Sequence, residues 1–181
     1  MATTATPNGA EPVNTLSASG SYTGKVRHMK IASAYNTAIF YGDFVKLVAA
    51  GTVGIFVGCS YTDPSTSQMT FNQQFPADTA ASDIMAYVVD DPKLVFKMQA
   101  DEAVAQTGLG NNISAVSTAG STSIGRSKNA LDGGSIATTN SLPLRVLEFV
   151  EGPSSTVGDA YTDCLVTYLP LSHAYETKLG V

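Results

Sequence analysis

The chain has 181 residues, 44% of them hydrophobic and only 14% charged, against about 25% charged in an ordinary soluble domain. Its 22 Ala, 20 Thr, 18 Ser and 16 Gly give a small, hydroxylic surface, while 42 Leu, Ile, Val and Phe are enough for a core and exclude wholesale disorder. The net charge of −5 is uneven, with +2 in residues 1–30 and −7 in the remainder. No basic face remains after Lys30 to release counterions from phosphate, which excludes nucleic acid as a partner.

A chain of this length buries about 70% of its unfolded surface, so one domain is expected. The first twenty residues hold neither Lys nor Arg and no apolar segment of signal-peptide type, and no run approaches the ~18 apolar residues of a membrane span. Synthesis and retention in a host cytoplasm, with no membrane partner, are therefore expected. Cys59 and Cys164 both sit in apolar stretches and read as small buried hydrophobes rather than as a disulfide.

In chain order, residues 1–24 are mostly Thr, Ala, Ser, Gly and Pro with the isolated hydrophobes Val13 and Leu16. They have neither a helical nor a strand period and read as an extended N-terminal arm whose order must come from another chain. Residues 25–181 read as a single β domain. Short β-branched and aromatic runs closed by Gly, Pro, Asp or Asn predict strands at Val26–Ile31, Asp43–Val48, Val53–Tyr61, Ile84–Val89, Leu94–Ala100, Leu144–Val150 and Tyr161–Leu169. Weaker signals lie at Thr70–Phe75 and Ser135–Thr138.

Turns are predicted at Tyr41-Gly42-Asp43, Ala50-Gly51, Thr62-Asp63-Pro64, Asp90-Asp91-Pro92, Asp132-Gly133-Gly134 and Glu151-Gly152-Pro153. The alternation in Leu94–Ala100 sets Leu94, Phe96 and Met98 on one face, while Val53–Cys59 has no polar side chain and suits a strand covered on both sides. Helix is expected only as a turn or two at Asp101–Thr107, with a second short turn at Asn111–Ser117, and residues 109–143 read as a long surface excursion. The expected class is all-β: a jelly-roll-like sandwich or barrel of about eight or nine strands.

No residue pattern carries catalysis. His28 and His173 have no Cys, Asp or Glu at zinc-ligand spacing, so no metal is expected. No Gly-x-Ser-x-Gly elbow presents a serine, and Gly108-Leu109-Gly110 lacks the third glycine and the frame of a dinucleotide loop. The acid pairs Asp90-Asp91 and Asp101-Glu102 read as turn chemistry and a helix start. Catalytic residues and cofactors are accordingly none. The remaining non-random feature is Gly24-Lys25-Val26-Arg27-His28-Met29-Lys30. It reads either as an edge strand guarded by basic residues or as a docking strip for an acidic surface, in which Lys25 and Arg27 share a face and Lys30 lies on the other.

Four stretches carry a resemblance: residues 36–48 (NTAIFYGDFVKLV), 55–63 (IFVGCSYTD), 86–92 (AYVVDDP) and 157–163 (VGDAYTD). They resemble virion proteins of tailed bacteriophages, and within that group the capsid decoration, or cement, proteins, over roughly residues 24–169. The resemblance implies a non-enzymatic virion protein on the outer surface of an icosahedral shell, stabilising it by bridging neighbouring subunits. Its implied partners are the major capsid protein and itself, as a homotrimer or else a homodimer, with Val13, Leu16, Lys25 and Arg27 as capsid-contact candidates. The alternative is a receptor- or carbohydrate-binding β module of a phage tail or surface structure. The absence of Trp leaves that alternative without an obvious sugar platform.

Overall fold

The computed structural model describes residues 4–17, 22, 24–47, 51–170 and 172–176. Val48 and Ala50 of the expected strand and turn lie outside these, as do residues 1–3, 18–21 and 23 of the expected arm. Among the described residues there are eleven strands: β1 (Glu11–Thr15), β2 (Arg27–Lys30), β3 (Phe44–Lys46), β4 (Thr52–Thr62), β5 (Met69–Asn72), β6 (Met85–Val89), β7 (Leu94–Gln99), β8 (Asn112–Val116), β9 (Ala130–Ala137), β10 (Leu144–Phe149) and β11 (Asp163–Tyr168). A six-stranded sheet runs β1-β7-β11-β10-β8-β9, and a five-stranded one runs β2-β6-β4-β3 with β5 also paired to β4. Every pairing between named strands is antiparallel. The six-stranded layer curls: Ala100 bridges Leu131 and the Asp101 amide donates to the Leu131 carbonyl at 2.9 Å, drawing β9 back toward β7. The chain is an all-β sandwich with one half-barrel layer.

Two apolar clusters hold the layers. One lies between the sheets and includes Ile55, Val89, Leu94, Phe96, Met98, Ile113, Leu131, Leu144, Val146, Cys164 and Val166. Phe96, Tyr168 and Phe44 meet there edge-on or tilted, with ring centroids 5.2–6.2 Å apart. The other covers the opposite face of the five-stranded sheet with Phe56, Cys59, Tyr61, Phe75, Ala81, Ile84, Ala86 and Val88. Strand β4 serves both clusters through a bulge. Phe56 pairs with Val88 and Gly58 with Tyr87, leaving Val57 as the extra residue. The bulge breaks the two-residue period, so Phe56, Cys59 and Tyr61 share one face despite their spacing. Gly58 sits at φ 151°, a conformation that other residues rarely adopt. Strand β10 repeats the device between Val146 and Glu148, which puts Phe149 into the same cluster as Val146.

The structure corrects four expectations. Residues 101–105 of the expected turn Asp101–Thr107 are not helical. Asp101 instead accepts a hydrogen bond from the Gly133 amide at 3.0 Å, and the helical turn, of 3-10 type, is Gln106–Gly108. The expected turn at Asn111–Ser117 is strand β8, and the expected excursion 109–143 contributes β8 and β9 to the curled sheet. Single apolar residues among polar ones reach the core there, Ile113 and Leu131 both being fully buried. Asp132-Gly133-Gly134 does not end a strand but forms an irregularity within β9, closed by Ser135 Oγ donating to the Asp132 carbonyl at 2.7 Å and accepting from the Ser114 amide at 2.9 Å.

Candidate docking surface

Over residues 4–17 the expected arm takes its order from the protein's own body. The Thr6 amide donates to Gln99 Oε1 at 2.7 Å and the Ala10 amide to the Gly42 carbonyl at 2.9 Å, and Ala10 is fully buried. Gly9 has φ +74°, and a Cβ there would meet Ser127 Cβ at 2.5 Å, so the chain lies where only glycine fits. Strand β1 then pairs with β7 from Glu11–Lys97 to Thr15–Leu94, with a bulge that leaves Val13 as the unpaired residue. Proline at position 12 is tolerated because this is a sheet edge. Glu11 is ion-paired with Arg126, whose guanidinium stacks 5.1 Å from the Tyr41 ring centroid. The physical reason for the difference is that backbone pairing at an open edge needs no apolar period in the added segment. The β domain therefore includes β1 and does not begin at residue 25.

The turn after β6 joins the two candidate regions. Asp91 accepts from the Thr15 hydroxyl at 2.9 Å and from the Lys93 amide at 2.8 Å, and the Lys93 carbonyl accepts from the Leu16 amide at 2.8 Å. Asp90, only 6% exposed, is ion-paired with Arg27 and accepts from the Tyr175 hydroxyl at 2.9 Å. The Tyr175 ring lies 5.4 Å from the Arg27 guanidinium carbon. Burial, followed by the Asp90 hydrogen bond, raises the Tyr175 pKa and keeps that hydroxyl protonated as a donor. Lys93 and Glu176 close the group at 3.2 Å. Asp90 and Asp91 thus do more than shape a turn: each anchors a different sheet edge.

The four contact candidates are placed differently. Val13 and Leu16 are 50% and 54% exposed. Lys25 is exposed ahead of β2, whereas Arg27 is engaged by Asp90 and Tyr175. The structure brings Leu16 and Arg27 to either side of the Asp90–Lys93 turn and leaves Val13 farther along β1. Sequence reasoning missed Tyr175, whose only signal was an aromatic residue two positions after His173. A cleft of about 340 Å³ lies between residues 4–11 and the ends of β7 and β11, lined by Thr6, Asn8, Glu11, Lys97, Gln99 and Asp163 among others. Its central charges satisfy each other, Lys97 Nζ lying 2.8 Å from Asp163. Among the described residues no group of three His, Cys, Asp or Glu is placed to hold a metal ion, and no helix is long and apolar enough to cross a membrane. No family model, curated protein or solved structure matches the chain.

Proposed function

We propose that this protein is a non-enzymatic decoration protein that binds the outer surface of an icosahedral phage capsid and stabilises it by bridging neighbouring subunits of the major capsid protein. The observation that carries this reading is the end of the sandwich around Asp90–Lys93, where Tyr175, 45% exposed, stacks on the Arg27 guanidinium and Leu16, 54% exposed, is tied to the other end of the turn through the Lys93 carbonyl. Tyrosine and arginine are enriched among the residues that dominate protein interfaces, and here Arg27 stands on β2 and the Tyr175 hydroxyl is held by Asp90, so the pair needs little ordering on contact. The sequence resemblance supports the same reading. A protein that binds the assembled shell and not its free subunits stabilises the shell by mass action, and symmetric repetition multiplies a modest contact.

The test uses phage shells stripped of the protein and reloaded with it. The wild-type chain should sediment with the shells and raise their rupture temperature. Leu16→Asp should weaken binding at least tenfold, and Lys25→Gln with Arg27→Gln should weaken it and flatten its salt dependence. Equal rupture temperatures with and without the protein would remove the proposal, and specific retention on a glycan array would put the carbohydrate-binding alternative in its place.

A further inference from the structure

Among the described residues, strand β5 is the least protected sheet edge. Edge strands are normally guarded by charge, bulges or cover, and the other outer strands follow that rule: β1 carries Glu11 and a bulge, β2 carries Arg27 and Lys30, β3 carries Lys46 and β9 carries Asp132. Between Asp63 and Asp78 there is no ionisable side chain at all. Strand β5 pairs with β4 on one side, and among the described residues no strand pairs with its other side. Its register sets Phe71 opposite Ser60 and Met69 opposite Thr62, so the two large apolar side chains face hydroxyls rather than apolar cover. Phe71 is 72% exposed and Met69 60%. Gln73 donates to the Ile124 carbonyl at 2.5 Å, which places Ile124, 55% exposed, near the end of the same strand.

We infer that β5 is a self-association edge, occupied by β5 of a second copy of this chain in antiparallel, two-fold pairing that joins the two five-stranded sheets. Charge permits this occupant: two copies each carrying −5 repel wherever acidic surfaces meet, and along this fourteen-residue neutral stretch no charge of one copy's β5 faces the other's, the Asp83 carboxylate being tied to Thr62 on the β4 side of the strand. Geometry agrees, because an antiparallel edge is self-complementary: the alternate N–H and C=O groups left free on one copy meet the same groups on the other. Met69 and Phe71 of both copies then share one face and cover each other. Four residues per copy bury less than the ~1,200 Å² of a stable interface, so the dimer forms at high protein concentration. A two-fold contact also favours a dimer over the trimer that the resemblance implies. This inference does not depend on capsid binding.

Sedimentation velocity of the full chain across the micromolar to millimolar range tests it. The wild-type protein should pass from monomer to dimer, and Phe71→Lys should raise the dissociation constant at least tenfold. Mixing Phe71→Lys with Phe71→Glu should restore a heterodimer. Both positions are exposed, so far-ultraviolet circular dichroism should match the wild type, and Met69→Lys serves should Phe71→Lys fail that check. A wild-type chain monomeric throughout, or a Phe71→Lys chain that dimerises like the wild type, would overturn the inference. So would a monomeric wild type whose shell binding is abolished by Phe71→Lys, since the shell would then be what covers the strand.

Discussion

The two flanks of the five-stranded sheet are built in opposite ways. On one, β2 carries cations, and its first residue is held under the C-terminal segment: Arg27 pairs with Asp90 and stacks on Tyr175, while Lys93 ties Glu176. On the other, β5 carries no charge and holds Phe71 and Met69 in solvent. Both flanks rest on the same central pair, β4 and β6. The difference therefore does not reflect how well each is supported. It reflects what each edge is kept from, or free for.

The strongest way to test that separation is to damage the shared support. Phe56→Ala removes a fully buried ring from β4, the strand on which β5 pairs and which β6 links to β2, and should cost about 3–5 kcal/mol. In chemical denaturation the whole transition should move as one. A variant that loosened β2 while β5 stayed protected in hydrogen exchange would show that the flanks are separate folding units, against the comparison drawn here.

A smaller effect is expected from the β2 flank alone. Asp90→Ala strips the acceptor from both Arg27 and Tyr175 and should cost about 1–2 kcal/mol, the lower part of the range for charged hydrogen bonds because Arg27 is more than half exposed. Dimerisation through β5 should be unaffected. A thermal midpoint within error of the wild type would mean that the cluster decorates the edge without fastening it.

The smallest effect concerns pH. His173 is fully buried between Tyr168 and Tyr175, with ring centroids 5.2 and 5.1 Å away. Burial lowers its pKa below the ordinary 6.5 against the opposing pull of the Val53 backbone, Glu176, Asp90 and Asp91. The unfolded chain therefore takes up this proton at higher pH than the folded one. The stability held by neutral His173 is present above about pH 6.5 and is lost as pH falls through that value toward the folded pKa. Melting temperature should drop between pH 7 and pH 5 by about 2–4 °C for each kcal/mol lost. His173→Gln should flatten that slope, and an unchanged slope would assign it to other groups.

Much of the architecture was legible in the chain. The alternation in Leu94–Ala100, the unbroken apolar run Val53–Cys59 and the Tyr161–Leu169 stretch each hold an interior strand, β7, β4 and β11, paired on both sides, where burial dictates composition. What escaped was set by distant partners. Glu11–Thr15 contains Pro, Asn and one exposed Val, and it becomes a strand only because the β7 edge is there to pair with. Asn112–Val116 reads as loop, yet Asn112 is buried because its side-chain oxygen accepts from Arg145 at 3.1 Å and its amide donates to the Thr139 carbonyl at 2.8 Å. At the candidate site, Leu16 and Arg27 could be picked out one by one. Their convergence needed the hydrogen bonds of Asp90 and Asp91, which no spacing rule announces.

The two thiols lie on opposite sides of the five-stranded sheet, Cys164 in the cluster between the sheets and Cys59 in the cluster on its outer face. Burial pushes the Cys59 pKa up to about 11 and the Cys164 pKa up to about 12, so neither is an appreciable nucleophile at neutral pH while its layer is closed. The molecule therefore carries two chemically silent clocks. Each starts only when its own layer opens, and alkylation mapped by mass would time the breathing of the interior one side at a time, in the free protein and in any assembly that holds it.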